Sequence, residues 1–325
     1  MNSSGADLSS EHQMGNDVRV AVVLPCYNEA TTVGEVIDDF RSALPEANIY
    51  VFDNGSTDRS AEIAARKGCN VVKVRRRGKG HVVASIFRNV EADVYVLADS
   101  DGTYIAEDVK ILLPPVLSNE ADMVTGVRLR SGNENAFRPA HLWGNRLFSW
   151  LMGIVFGSRF VDILSGYRVF NSDVVRVLPI VAEGFGIEVQ MTALLLYHGF
   201  DIREIELSNY HPRPAGSPSK LRTFRDGFLI LLEALTILMA YKPLTFFGLV
   251  GIVLLVFGLG LGSIVITEFI KYQSVYRVPL AIVASAVALF GMGQIGLGIT
   301  IHTIAYRLRE VLFLMRRTGK NRDDI

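Results

Sequence analysis

Two stretches near the carboxyl end break the pattern of the rest of the chain. Leu244 to Thr267 reads LTFFGLVGIVLLVFGLGLGSIVIT without one charged side chain, and Val278 to Ala305 has only Gln294 and His302 as strongly polar interruptions. A helix needs about 20 apolar residues to cross the bilayer hydrocarbon. Both stretches are long enough, so residues 243–305 are predicted to hold two transmembrane helices. The short EFIKYQSVYR connection predicts a tight antiparallel hairpin. The competing reading, two buried helices of a large soluble core, fits poorly with uncharged, glycine-rich runs of this length.

Upstream the periodicity changes. VRVAVVLP, NIYVFD, NVVKV and DVYVLAD are short β-rich runs. Between them TTVGEVIDDFRSAL, DRSAEIAARKG and GHVVASIFRNV have helical spacing, with Thr31 or Thr32 placed to cap the first helix. This alternation over residues 18–218 predicts an α/β domain, a mainly parallel sheet with helices on both faces. Ligands of such sheets sit at the carboxyl ends of the strands. PCYNE, DNGSTD and DSDGTY each follow a strand directly. Residues 1–17 are polar, hold no apolar signal-peptide core, and predict a disordered tail. Residues 219–242 begin basic at Arg222 and Arg225 and turn apolar, which predicts an interfacial amphipathic helix; Glu233 argues against a third span. Residues 306–325 read as a basic tail.

Charge refines this picture. Lysine plus arginine and aspartate plus glutamate balance at 33 each in 325 residues, which removes the basic excess expected of a nucleic-acid binder. The mean hydropathy of +0.29 is high for a soluble protein. Two cysteines, Cys26 and Cys69, exclude a disulfide scaffold and suit a reducing compartment. Cys26 reads as a small buried filler, since nothing in its motif pairs it with a histidine. Lys220, Arg222, Arg225 and Lys242 precede the first span, and Arg307, Arg309, Arg316, Arg317, Lys320 and Arg322 follow the second; the connection has only Lys271 and Arg277. By the positive-inside rule both termini and the α/β domain face the cytoplasm of a multi-pass cell-membrane protein. Gly258, Gly260 and Gly262 in one span and Gly291, Gly293, Gly296 and Gly298 in the other allow close helix approach, within the hairpin or between subunits of a homo-oligomer as large as a tetramer.

The chemistry gathers at Tyr95–Tyr104, YVLADSDGTY, where a buried run ends on Asp99 and Asp101 with one serine between them. Like charges this close call for a cation. The end of the first strand holds Pro25-Cys26-Tyr27-Asn28-Glu29 in place of G-x-G-x-x-G, which sets aside a dinucleotide-binding fold; a P-loop is also absent. With VVLPCYNEATTVGEVI, VFDNGSTDRS, LADSDGTY, DILSGYRVF and HPRPAGSPSKLRTFRDG in that order, residues 18–225 resemble the family 2 glycosyltransferases of the GT-A fold. Within that family the resemblance is to the polyprenyl-phosphate, dolichol-phosphate mannosyltransferase-like group.

The resemblance implies roles. Asp99 and Asp101 would hold Mg2+ or Mn2+ against the diphosphate of a nucleotide sugar, Asp101 also counting as catalytic, with Ser100 on the donor side. Pro25, Tyr27, Glu29, Val51 and Asp53 would line the base and ribose. Asp162 matches the acceptor-side catalytic carboxylate, although a phosphate acceptor, with a second pKa of about 6, hardly needs a strong base. Arg213 and Lys220 match donor-phosphate positions, and Arg128 and Arg138 match acceptor-phosphate positions. RPAGSPSKL would be a mobile loop closing over the diphosphate. Where the family often has glutamate, EGFGIEVQM has Gln190; Glu188 matches a common acid and is a candidate site residue. Arg130 reads as a solvated neighbour, and His141, His198 and His211 as local structure.

The activity so implied is inverting transfer of one sugar from a nucleotide sugar, UDP-glucose or similar with GDP-mannose fitting the same motifs, to a polyprenyl phosphate at the cytoplasmic membrane face. A processive polysaccharide synthase would be expected to carry Q-x-x-R-W and a larger channel than two spans can form; the motif is absent. The same resemblance leaves room for transfer to another glycolipid or polysaccharide acceptor, and for a catalytically inactive nucleotide-sugar-binding assembly protein. Intact Asp99, Asp101 and Asp162 weigh against inactivity.

Overall fold

A computed structural model describes residues 18–128, 139–178, 186–208, 232 and 235–323. The tail at 1–17 and nearly all of the basic start of 219–242 lie outside these residues. Contacts divide the chain into two compact units, one formed by residues up to 145 together with 160–221, the other by 146–159 together with the segment from 222 onward.

The first unit is built on β1 (Val20–Cys26), β2 (Asn48–Asp53), β3 (Asn70–Lys73), β4 (Val94–Leu97), β5 (Met123–Val127), β6 (Arg168–Asn171) and β7 (Ile202–Glu206). They form one sheet in the order β3-β2-β1-β4-β6-β5-β7. β1 pairs in parallel with β2 and β4, and β5 with β7; β6 runs antiparallel to both its neighbours. The sheet is therefore mainly parallel, with one reversed strand that periodicity did not reveal.

β1 is apolar along its length because both its faces are covered. Val22 and Leu24 join one core cluster with Val33, Val36, Ile37 and Phe40 of α1 (Val33–Ala43). Ala21 and Val23 point the other way and join Val82, Val83 and Ile86 of α3 (Lys79–Asn89), after α2 (Ser60–Arg66). Tyr95 and Phe170, paired in register across β4 and β6, stack with ring centroids 5.5 Å apart. Thr32 stands at the amino end of α1 but makes no side-chain cap bond. Its hydroxyl donates to the Ser100 carbonyl at 2.8 Å, tying α1 to the strand-end turn.

The short helices α4 (Val109–Leu112), α5 (Pro114–Leu117) and α7 (Ser172–Val177) fill connections. α6 (Pro139–Phe156) is shared by the two units, and α8 (Ile187–Tyr197) covers the second core cluster.

In the second unit, α9 (Pro243–Tyr272) and α10 (Val278–Asp323) form an antiparallel pair, and each contains a stretch long and apolar enough to cross a membrane. α9 continues through Tyr272, so the connection is only residues 273–277. α10 runs on through the expected basic tail, whose LREVLFLMRR is made mostly of good helix formers. A Cβ at Gly251 would stand 2.6 Å from the Gly291 carbonyl oxygen, and one at Gly258 2.7 Å from the Ala288 nitrogen. These close approaches require glycine. Gly260, Gly262, Gly293 and Gly296, by contrast, have nothing among the described residues within 4 Å of an added Cβ.

Candidate active site

The strand-end loops are laced together by their own small polar residues. Asn28 takes a left-handed conformation, φ +56°, that asparagine tolerates; its N–H donates to Ser56 Oγ and its side-chain oxygen accepts from the Thr57 N–H. The Glu29 N–H donates to Ser60 Oγ at 2.8 Å and the Ala30 N–H to Asp58 Oδ2 at 3.1 Å. Buried Asp53 accepts from the Ser56 N–H. Asn54 donates to the Arg76 carbonyl and accepts from the Gly78 N–H, so RRRGKG is pinned to the same cluster.

Pro25, Tyr27 and Glu29 stand partly exposed in this cluster, whereas the Val51 side chain is fully buried in the core. The Arg77 guanidinium sits 5.0 Å over the Tyr27 ring, a cation–π contact the sequence did not single out. Burial pushes the Cys26 thiol up to about 11, which fits an inert filler.

The DSDGTY turn is held on several sides. Ser100 Oγ donates to the Pro25 carbonyl at 2.8 Å, and Asp101 Oδ1 accepts from the Thr103 N–H and hydroxyl. Gly102, φ +73°, supplies the positive backbone angle of the turn. Lys79, the first residue of α3, places Nζ 2.6 Å from Asp99 Oδ1 and 2.7 Å from Glu188 Oε1. Burial pulls the Lys79 ammonium down, but the two carboxylates outweigh it and raise it above its ordinary value, so it is a fixed cation.

The DILSGYRVF segment closes the other side. The Gly166 N–H donates to Tyr104 Oη at 2.8 Å. A Cβ at Gly166 would stand 2.8 Å from Asp99 Oδ2 and 3.0 Å from Lys79 Nζ, so glycine lets this backbone lie against the pair without displacing either side chain. Asp162 is fully buried and accepts from Arg128 three times: from its N–H at 3.0 Å, Nε at 2.8 Å and Nη2 at 2.9 Å. Arg128, expected toward an acceptor phosphate, thus has its fork on Asp162. The Glu204 carboxylate accepts from the N–H groups of Val161 and Asp162, and burial pushes its carboxyl up.

Arg168 is fully buried and donates to the carbonyls of Ser165 and Ile163 and to Thr192 Oγ1; burial pulls its guanidinium down. Thr192 in turn donates to the Glu188 carbonyl, joining α8 to the loop of Asp162.

Asp99 and Glu188 therefore meet at Lys79 beside Gly166, Ser100 and Asp101 continue the turn that follows Asp99, and Asp162 pairs with Arg128. Arg138, Arg213, Lys220, Arg130 and the RPAGSPSKL loop lie outside the described residues. Sequence reasoning missed Lys79, Arg77, Gly166, Arg168 and Glu204. The first two had a visible signal, RRRGKG following β3 as the other motifs follow their strands. Among the described residues no three His, Cys, Asp or Glu side chains form a self-sufficient metal centre. Two hard carboxylates at a strand end fit Mg2+ or Mn2+ as an incomplete shell, which substrate phosphate oxygens would complete.

Residues 21–178 match the family described as Glycosyl transferase family 2. Glycosyltransferase AglJ of Haloferax volcanii is 34% identical over 292 residues, covering 90% of this chain and 95% of that protein. Undecaprenyl-phosphate mannosyltransferase of Micrococcus luteus is 28% identical over 207 residues, 59% of this chain and 83% of the relative. Among solved structures, glucosyl-3-phosphoglycerate synthase of Mycobacterium tuberculosis, in complex with Mn2+ and UDP-glucose, superposes with a TM-score of 0.53 at 23% identity, over 69% of this chain and 79% of that one. That likeness is one of fold.

Proposed function

Since the chain belongs to glycosyl transferase family 2, we propose that it moves a single sugar from a nucleotide sugar to a polyprenyl phosphate at the cytoplasmic face of the cell membrane, with inversion. UDP-glucose or a similar UDP-sugar is the first donor to test, GDP-mannose the second. The observation that carries the lipid acceptor is a strand-end site on the same chain as a bare apolar hairpin. Leu249, Val253, Phe257 and Leu289 stand exposed, and no described residue covers them. α6 adds Trp143, Trp150 and Ile154, exposed at helical spacing; tryptophan at such positions suits the headgroup level of a bilayer. Phe156 of α6 packs on Tyr241, just before α9, with centroids 5.5 Å apart. The undecaprenyl-phosphate acceptor in the name of the Micrococcus relative points the same way.

In this reading Pro25, Tyr27, Glu29 and Asp53 receive the base and ribose, and Arg213 and Lys220 the donor phosphates. Asp99 and Asp101 hold the Mg2+ or Mn2+ ion, which would neutralise charge on the departing diphosphate. The acceptor phosphate attacks already ionised, so no strong base is required. A carboxylate engaged by a buried arginine fork is a poor proton acceptor. Asp162 is therefore assigned to positioning Arg128, which with Arg138 meets the acceptor phosphate. The apolar helices keep the polyprenyl chain in lipid. Gly260 and Gly296, which meet nothing among the described residues, belong to contacts between copies in a homo-oligomer of up to four chains.

Purified enzyme supplied with radiolabelled UDP-glucose, other UDP-sugars or GDP-mannose should move label into the organic phase only with undecaprenyl or dolichyl phosphate. EDTA, Asp99→Ala and Asp101→Ala should each abolish it. Label passing only to a water-soluble acceptor would refute the assignment. For topology, a cysteine replacing Gln273 should react only from the face opposite the termini.

A further inference from the structure

The strongest unassigned feature is a cation built into the site. Lys79 Nζ is shared between Asp99 and Glu188 at 2.6 and 2.7 Å, and the Gly166 backbone lies so close to the pair that an added Cβ would stand 2.8 Å from Asp99 Oδ2 and 3.0 Å from Lys79 Nζ. The helix that carries Glu188 is tied to the sheet one turn further on, where buried Arg168 donates to the Thr192 hydroxyl. A cation anchored at two points against one carboxylate of the Asp99–Asp101 turn occupies an electrostatic position that a divalent ion needs.

We propose that Lys79 is a resident counter-cation that competes with the divalent ion for Asp99, with Glu188 as the carboxylate that retains the ammonium when Asp99 is given up. Lys79 then keeps metal uptake by the free enzyme weak and couples it to the arrival of the donor. The incoming diphosphate contributes both the missing metal ligands and added negative charge, so ion and nucleotide enter together. The inference rests on the reading that Asp99 and Asp101 hold the ion, and it goes beyond that reading by naming what restrains them in the ion's absence.

The test is Mn2+ binding to the purified full-length protein, read from loss of the free-ion electron paramagnetic resonance signal, with Mn2+ alone and with UDP or GDP added. Lys79→Met should bind Mn2+ alone about 10-fold more tightly than wild type and gain less from nucleotide. Lys79→Arg, which keeps the charge, should retain weak uptake, and thermal unfolding of both variants checks that they fold. Glu188→Gln should weaken Mn2+ binding when Lys79 is present, because the ammonium is then left to Asp99, and should change it little in the Lys79→Met background. Equal weakening in both backgrounds would make Glu188 a plain local charge and overturn the relay. If wild type binds Mn2+ and Asp99→Asn does not, while Lys79→Met binds no tighter than wild type, the ion's site stands and the proposal for Lys79 falls. If wild type takes up no Mn2+ even with UDP or GDP, the site assignment falls first and the proposal with it.

Discussion

The sheet unit and the helical hairpin use the same residue types under opposite conditions. Val22, Val23, Leu24 and Val96 are fully buried, because helices of the same chain cover both faces of the sheet. Leu249, Val253, Phe257 and Leu289 are comparably apolar and stand exposed. Burying a Val, Leu or Phe side chain stabilises by about 1.5–3 kcal/mol, so a long bare surface of this kind needs another apolar medium. Apolarity marks a need for cover; only the packing shows whether the chain supplies it. Polar groups divide in the same way. The sheet unit buries Asp162, Arg128 and Arg168 with hydrogen-bond partners, while the apolar stretch of α9 from Leu244 to Thr267 keeps charge out altogether.

The sharpest way to break this comparison is at the buried pair. Asp162→Asn leaves the Arg128 charge in a buried site, at a cost of about 3–5 kcal/mol. Transfer should fall at least about 100-fold through misplacement of Arg128, with nucleotide affinity measured by calorimetry near wild type. Replacing both charges, Arg128→Met with Asp162→Leu, should recover much of the melting temperature and none of the transfer. Recovered transfer would show that Arg128 does not meet the acceptor.

The hairpin offers the intermediate effect. Gly251→Leu forces a side chain into the Gly291 backbone and should cost about 1–3 kcal/mol of thermal stability in detergent. Gly260→Leu meets no described residue and should leave the hairpin intact while lowering the mass of the detergent-solubilised oligomer. If both variants lose the same stability, the two sets of glycines do not have separate tasks.

The smallest effect is at the surface of the loop cluster. Burial raises the Asp58 carboxyl, but bonds from Ser60 and the Ala30 N–H outweigh it and hold it below its ordinary value. A depressed folded pKa means that this stabilisation is present above the unfolded value of about 3.9 and is lost as pH falls through the folded one. Because Asp58 is exposed and screened, Asp58→Asn should remove no more than about 1 kcal/mol near neutrality and flatten the acid limb of the melting curve. A steeper acid limb in the variant would contradict the sign.

By itself the sequence determined what depends on near neighbours. The first four strands and three helices, the two apolar spans and the carboxylates at strand ends were legible because a residue's face follows from a period of two or 3.6. Of the DSDGTY turn, the bonds from Thr103 to Asp101 and the positive φ of Gly102 are local, whereas the bonds that join Ser100 to Pro25 and Thr32 are not. The tertiary structure alone decided that β6 enters reversed between β4 and β5, since strand order is set by the chain's path and by which edges remain unpaired. It decided that Thr32 serves the Ser100 carbonyl instead of its own helix, and that Gly251 and Gly291, not Gly260 and Gly296, form the helix contact. Above all it decided the partners of the charges. Arg128 meets Asp162 across 34 positions and Lys79 meets Asp99 across 20, contacts that local spacing does not encode. A buried charge takes whichever opposite charge folding brings within reach, and that identity exists only once the sheet has closed.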